Sequence, residues 1–340
     1  MRFFKRPLLP SALFLLVLSL LLASCVGGRG EYRRLQGGVW NTTYNISYAS
    51  ATDLTDSVLA VMKQVELSLS PFNDSSLISR INRGEPCEVD SLVRRIFLAS
   101  QEVNRASFGR FDPTVAPLIN LWGFGYRNSG VEPTQAMIDS VMVSVGIGDC
   151  QIDSLGRLQR KTPMTEFNFS AITKGYGCDL VGEMFRRNGC NDFMVEIGGE
   201  IAMSGRNPRG EDWHIMVDAP VENDTAVVHS RMAVMAVTDC GVATSGNYRN
   251  FKQTSSGRIW HTISTLDGLP AHTDLLAATV IASTAMLADA YATACMALPS
   301  DSARLMLERV PDVEALFVTV NPSDSAFAIT TTPGFPEIKR

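Results

Sequence analysis

Residues 283–298, STAMLADAYATACMAL, constrain the fold more than any other stretch. The spacing predicts a helix with apolar side chains on nearly every side, so it has no solvent face and must be covered all round. Ser283 or Thr284 is placed to cap its start and Pro299 to stop it. Inside this helix stands Asp289, with Thr293 four residues on, one turn later on the same face. A carboxylate is almost never fully buried unless paired, and Asp289 lies past the first turn, where it cannot serve as a cap. It must find a hydrogen-bond donor, a cation or a metal. An Asp and a Thr at this spacing offer two oxygen ligands, which hard cations such as Mg²⁺ select. A carboxylate bonded to a neighbouring backbone loop is the alternative.

The chain starts with a segment of another kind. Arg2, Lys5 and Arg6 precede the apolar run SALFLLVLSLLLA, and Leu-Ala-Ser leads to Cys25. A basic start, a short apolar core and small residues form an export signal, too short and wrongly flanked for a spanning helix. The ending resembles a lipobox. Residues 1–24 are therefore expected to be removed and Cys25 to be lipidated, so that the protein is anchored to a membrane without crossing it. Residues 25–38, Gly-rich and basic, read as a flexible tether, and residues 39–340 as one domain. The expected location is the periplasmic face of the cell envelope, with the inner membrane favoured and the outer membrane the alternative. Losing the leader removes three cations and no acid, which takes the formal charge from −5 to −8. That balance, with no clustered basic face, argues against a nucleic-acid partner. The cysteines after Cys25, namely Cys87, Cys150, Cys178, Cys190, Cys240 and Cys295, show no CxxC pair and no zinc-type spacing. Cys178 and Cys295 fall in helical patterns as small core residues.

Helical spacing recurs in TDLTDSVLAVMKQVELSLS, in DSLVRRIFLASQEVNRASFG ending at Gly109, in PTQAMIDSVMVSVG, and in SAITKGYGCDLVGEMFRRNG with Ser170 as cap and Gly189 as stop. VWNTTYNISY, DFMVEIGGEIAMSG, DWHIMVDAP, RMAVMAVTDCGVAT, RIWHTIST, LAATVIAS, ALFVTV and AFAITT read as strands. Helices and hairpin-like strands mix without regular βαβ alternation. The expected class is therefore α+β, a single compact domain with mixed, mainly antiparallel sheets and packed helices. A phosphate-loop motif, HExxH and GxSxG are all absent, and GFGYRNSG lacks the dinucleotide spacing.

Several stretches could carry chemistry, each with a structural alternative. The helix starting near Ser170 presents unsatisfied N–H groups to an anion, and Lys174 would add a full charge. Gly175 and Gly177 cost that helix roughly 1 kcal/mol each, tolerable where a backbone or a ligand approaches closely. ATSGNYRNF, with Ser245 through Arg249, is either a phosphate- or ribose-binding loop or an ordinary turn. His261, in a strand pattern beside Trp260, is either a general base or a structural histidine. Trp122 and Phe124 in NLWGFG, and Phe72 in SPFNDSS, either stack on a planar ring or anchor loops. Together they suit an aromatic ligand with phosphates and a divalent metal.

The ordered motifs SSLISRIN, FDPTVAPLINLWGFG, NFSAITKGYGCDLV, VEIGGEI, TSGNYRNF, WHTIS and ASTAMLADAYATACMAL carry a resemblance. From about residue 38 to 335 the chain resembles the ApbE family, the FAD:protein FMN transferases. The resemblance implies an Mg²⁺-dependent enzyme that cuts FAD at its pyrophosphate, passes FMN to a Thr hydroxyl of an exported flavoprotein and releases AMP. The acceptor would be a subunit of an NADH:quinone reductase or of an Rnf-type complex. By position it implies that Asp289, Thr293 and the Ala171 carbonyl hold the metal. FAD would contact Trp40, Phe72, Leu121, Trp122, Gly123, Phe124, Asn168, Lys174 and Ile263. His261, our candidate to accept the Thr proton, and Lys174 would be catalytic. The chain departs from the pattern at four places: Trp40 stands where Met is usual, Asn168 where Asp is frequent, STLDG lacks the common Pro, and Ala292 replaces an Asp that some members carry. Metal-dependent FAD hydrolysis and non-catalytic flavin binding are the competing functions.

Overall fold

A computed structural model describes residues 31–127, 130, 132–220, 230–247, 251–254, 257–321 and 326–339. The leader, Cys25, the start of the tether, His229, Tyr248 and Arg249 lie outside the described residues. The strands are β1 (Tyr32–Val39), β2 (Thr42–Ala49), β3 (Gln151–Ile152), β4 (Leu158–Gln159), β5 (Phe193–Ile197), β6 (Glu200–Ser204), β7 (Trp213–Asp218), β8 (Arg231–Val237), β9 (Gly241–Gly246), β10 (Phe251–Thr254), β11 (Gly257–Trp260), β12 (Leu275–Ala282), β13 (Glu314–Val320), β14 (Phe327–Thr331) and β15 (Ile338–Lys339). The α-helices are α1 (Thr55–Leu69), α2 (Leu77–Asn82), α3 (Ser91–Ala106), α4 (Ala116–Leu121), α5 (Gln135–Met142), α6 (Ser170–Arg187), α7 (Ala285–Met296) and α8 (Ser300–Leu307).

The central element is an eight-stranded sheet, ordered β1-β2-β5-β6-β9-β12-β13-β14 and antiparallel at every step. Its middle strands are covered on both faces, which is why LAATVIAS and ALFVTV read as continuous apolar runs. Successive side chains divide the two sides between them. Ala278, Val280 and Ala282 of β12, with Ala315 and Phe317 of β13, face the helices. Ala277, Leu316 and Val318 face the smaller sheet β15-β8-β7. The result is the expected α+β domain, with helices on one face of the large sheet and a second antiparallel sheet on the other.

The sequence reading needs correction at several boundaries. Residues 32–38, read as part of the tether, form β1 and pair with β2 in unbroken register. Gly37 is there because Tyr44 crosses it; a Cβ would stand 2.6 Å from the Tyr44 hydroxyl. VWNTTYNISY is broken by a turn at Trp40 and Asn41, both at positive φ, 49° and 60°. RMAVMAVTDCGVAT splits at Asp239 into strands of different sheets. Helices α2, α4 and α8 are too short for their periodicity to stand out. Cys87, Cys150, Cys178, Cys190, Cys240 and Cys295 are free thiols, and all but Cys240 are buried. Among the described residues no helix is long and apolar enough to cross a membrane.

Helix α7 occupies the position its composition demands. Ten of its twelve residues are buried, between α6 on one side and β9 and β12 on the other. Its first turn is pinched between two glycines: a Cβ on Gly175 would stand 2.1 Å from the Ala285 carbonyl oxygen, and one on Gly241 2.1 Å from the Ala285 nitrogen. The exposed N–H groups of that turn are served by Asp179 of α6 and by Thr284. Ala285 N–H donates to Asp179 Oδ1 at 2.9 Å, Met286 N–H to Oδ2 at 2.8 Å, and Leu287 N–H to the Thr284 hydroxyl at 3.2 Å. Asp179 thus joins the two helices that carry the metal-type residues.

Burial pushes the Asp179 carboxyl from 3.8 to about 7, against the two N–H bonds that favour its charge. An acid whose folded pKa is raised binds its proton more tightly when folded. The stability this adds is complete below the unfolded value and disappears as pH rises to about 7. Asp179→Asn is expected to flatten the stability-versus-pH curve between about pH 4 and 7, by a few kcal/mol. Urea unfolding of both proteins across that window checks it; parallel curves would contradict the assignment.

Candidate active site

One cavity of about 370 Å³ opens where these elements meet. Helix α6 contributes Ser170, Ala171 and Lys174; α7 contributes Asp289 and Thr293; the end of β9 contributes Thr244, Ser245 and Gly246. The β5–β6 turn supplies Gly198, and the first residue of β6 supplies Glu200. The far wall is made by Phe72, Phe124, His261, Ile263 and the segment Arg110–Pro113. Sequence reasoning therefore brings together Phe72, Phe124, Asn168, Ala171, Lys174, His261, Ile263, Asp289 and Thr293. Four of its residues lie off this wall. Trp40 packs its ring on Gly177, where a Cβ would stand 2.5 Å from the indole. Leu121 and Trp122 belong to a small apolar cluster with Leu118, Ile138 and Ile263. Trp122 Nε1 donates to the Gly268 carbonyl at 2.8 Å. Gly123, at φ 75°, turns the chain and offers its carbonyl to Lys252 at 2.6 Å.

The helix glycines now have their cause. Gly175 faces a backbone and Gly177 an indole, so close packing accounts for both. Ser170 is the first helical residue and not the cap. Phe169 is the N-cap and makes no side-chain cap bond, while Asn168 before it closes a local turn, its Oδ1 accepting Ser170 N–H at 2.9 Å and the Ser170 hydroxyl at 2.6 Å.

The polar end of the cavity is a buried charge cluster. Lys174 Nζ lies 2.5 Å from Glu200 Oε2, and Asp289 faces the same ammonium. Burial alone would lower the Lys174 pKa, but the two carboxylates outweigh it and hold the ammonium charged. Burial raises Glu200 to about 8, with Asp289 adding to the rise and Lys174 opposing it. Asp289 is raised for the same first reason, and Lys174 and the Gly175 N–H oppose that rise. Glu200 was missed as a site residue. Its signal was an acid at an inward position of a strand, directly after the Gly198-Gly199 turn in VEIGGEI.

The backbone-donor reading of Asp289 is realised. Its Oδ2 accepts Gly175 N–H at 3.1 Å, the backbone donor that periodicity left open. In a regular helix that N–H serves the carbonyl four residues back, at Ala171, so the two oxygens compete for one donor. Thr293, one turn on, has its hydroxyl 3.5 Å from Ser245 Oγ. Carboxylate, hydroxyl and backbone carbonyl form an all-oxygen set suited to Mg²⁺, which takes one or two carboxylates and fills its shell with phosphate and water. Among the described residues there is no group of three or more His, Cys, Asp or Glu that could hold a metal ion.

The aromatic end is more open. Phe72 is 59% exposed and meets Tyr126 edge-on, with ring centres 6.0 Å apart. Phe124 lies edge-on to His261 at 6.5 Å, and the Lys252 ammonium sits 5.0 Å from its ring. His261 stands just beyond β11 and not within a strand.

Comparison with known proteins agrees along most of the chain. The ApbE family model matches residues 40–317. The FAD:protein FMN transferase of Haemophilus influenzae is 28% identical, with 96% of this chain and 97% of that one covered. The FAD:protein FMN transferase of Vibrio cholerae is 30% identical, with coverage of 85% and 88%. The crystal structure of Pseudomonas stutzeri flavinyl transferase ApbE, apo form, superposes with a TM-score of 0.79 at 29% identity, covering 90% of this chain and 96% of that one. With the fold shared and the match running from the β1–β2 turn to β13, the chain belongs to the ApbE family.

Proposed function

We propose that the protein transfers FMN from FAD to a Thr hydroxyl of an exported flavoprotein and releases AMP. The observation that carries this reading is one cavity with an aromatic wall at one end and, at the other, Lys174 beside the oxygen donors Asp289, Thr293 and Ala171. An isoalloxazine suits the first end and a pyrophosphate the second. The relatives named FAD:protein FMN transferase support the same reading.

In the reaction, the acceptor Thr oxygen bonds to the flavin-side phosphorus, and the bond from that phosphorus to the bridging oxygen breaks. AMP leaves with that oxygen. Lys174 stays charged throughout and neutralises phosphate oxygens. Asp289, Thr293 and the Ala171 carbonyl would hold Mg²⁺, which when bound adds positive charge at the phosphates and the leaving group. His261, on the cavity wall, accepts the Thr proton. Phe72 and Phe124 hold the flavin ring by edge and face contact. Delivery to the periplasmic face by a lipid on Cys25 places the enzyme beside exported acceptors, such as subunits of an NADH:quinone reductase or Rnf-type complex.

Incubation with FAD and Mg²⁺, with and without an acceptor domain, tests this. Transfer predicts AMP only when the acceptor is present. FMN and AMP without acceptor would indicate a pyrophosphatase, and unchanged FAD a binding protein. His261→Ala is expected to slow AMP release at least about a hundredfold with little change in KM. A normal rate would remove His261 from the mechanism.

A further inference from the structure

Arg110 is a charged residue of the cavity to which the function above gives no role. It lines the cavity together with its neighbours Phe111, Asp112 and Pro113. Its Nε is buried without a hydrogen-bond partner, and no carboxylate among the described residues lies within ion-pair distance of its guanidinium. A buried donor left unmade costs about 1–3 kcal/mol, more when charged, so a fold that keeps one has a use for it. Lys174 differs in that Glu200 already pairs with it at 2.5 Å and Asp289 faces it, so part of its charge is balanced before any phosphate binds.

The backbone around Arg110 is pinned from both sides. The Thr265 hydroxyl, on the loop that follows His261, donates to the Gly109 carbonyl at 2.8 Å. Asn168 N–H, at the start of α6, donates to the Pro113 carbonyl at 2.9 Å. Between these ties, Phe111 N–H donates to the Ser107 hydroxyl at 3.0 Å. Asp112 is spent on the N–H groups of Thr114 and Ile147, at 2.8 and 2.9 Å, and on the Thr114 hydroxyl at 2.6 Å. Its charge is therefore not turned toward Arg110. A guanidinium held on a fixed backbone, lining a cavity and without a carboxylate partner among the described residues, is suited to take an anion.

We propose that Arg110 is a substrate-anchoring residue whose guanidinium binds a phosphate of the dinucleotide held in this cavity. The fork of N–H donors matches a phosphate edge, where a lysine ammonium would offer only a point charge. This inference rests on the flavin-nucleotide reading above. It adds to Lys174 a second cation among the residues that line the cavity.

Equilibrium binding of FAD and of riboflavin to the wild type, Arg110→Gln and Arg110→Lys, without acceptor, tests it. Riboflavin carries the same ring and no phosphate. Arg110→Gln is expected to weaken FAD about ten- to hundredfold, to leave riboflavin within about twofold, and to regain part of the FAD affinity as Arg110→Lys. Riboflavin binding and the thermal unfolding of each variant report an intact cavity. Unchanged FAD binding in Arg110→Gln overturns the proposal, as does an equal loss for both ligands, which would put the guanidinium on the ring. If the wild type binds FAD and not riboflavin, the FAD arm decides by the same thresholds. A wild type that binds no FAD rejects the parent reading, and Arg110 with it.

Discussion

Asp289→Asn abolishes transfer, with an expected loss of about a thousandfold or more, while the protein stays folded. Asn has nearly the shape of Asp and keeps an oxygen to accept the Gly175 N–H at 3.1 Å. What it removes is the charge. Asp289 is 3% exposed and sits in a cluster where burial already works against its ionisation and its charge raises Glu200. The exchange therefore relieves a buried negative charge, and the melting temperature should hold or rise. Activity falls because the only carboxylate of the all-oxygen set is gone. Rates of AMP release at saturating Mg²⁺, with melting curves alongside, separate the two effects. Transfer within about tenfold of the wild type would show that the carboxylate has a structural role alone.

Gly175→Ala has the largest expected effect on stability. In an ordinary helix interior this change stabilises by roughly 1 kcal/mol. Here the new methyl would stand 2.1 Å from the Ala285 carbonyl oxygen, 2.5 Å from its carbon and 2.9 Å from Asp289 Cβ. Ala285 has little room to retreat, because its nitrogen also packs closely on the Gly241 backbone, where a Cβ would stand 2.1 Å from it. The cost is set by overpacking against backbone, about 3 kcal/mol or more. The shift also separates Lys174 from Asp289, so activity should fall with stability. Urea unfolding gives the sign directly, and a more stable Gly175→Ala protein would contradict the packing described for α6 and α7.

These two residues show what can be read from one dimension and what cannot. The all-round apolarity of α7 predicted its buried position, and the 3.6-residue period put Asp289 and Thr293 on one face. Period also predicts that Asp289 needs a partner. It is silent on where the partner comes from, which proves to be a backbone N–H 114 residues upstream. Glu200 was hidden for a similar reason. Its meaning lies in the Lys174 ammonium at 2.5 Å, and nothing local to VEIGGEI predicts that contact. Nine of the residues that the motif resemblance implies line the cavity. Trp40, Leu121, Trp122 and Gly123, which the resemblance implies by position, lie off the cavity wall: an indole on Gly177, an apolar cluster and a turn. Arg110 was passed over because an arginine before FDPTV has no pattern of its own. Only the tertiary ties to Thr265 and Asn168 turn it into the cavity.

The central claim is that this cavity moves FMN onto a protein hydroxyl. Intact mass spectrometry of an acceptor domain, after incubation with the protein, FAD and Mg²⁺, tests it most directly. The account predicts one added FMN in phosphoester linkage on a single Thr, one AMP released for each flavin attached, and no addition when that Thr is Ala. AMP and FMN accumulating while the acceptor keeps its original mass would contradict it.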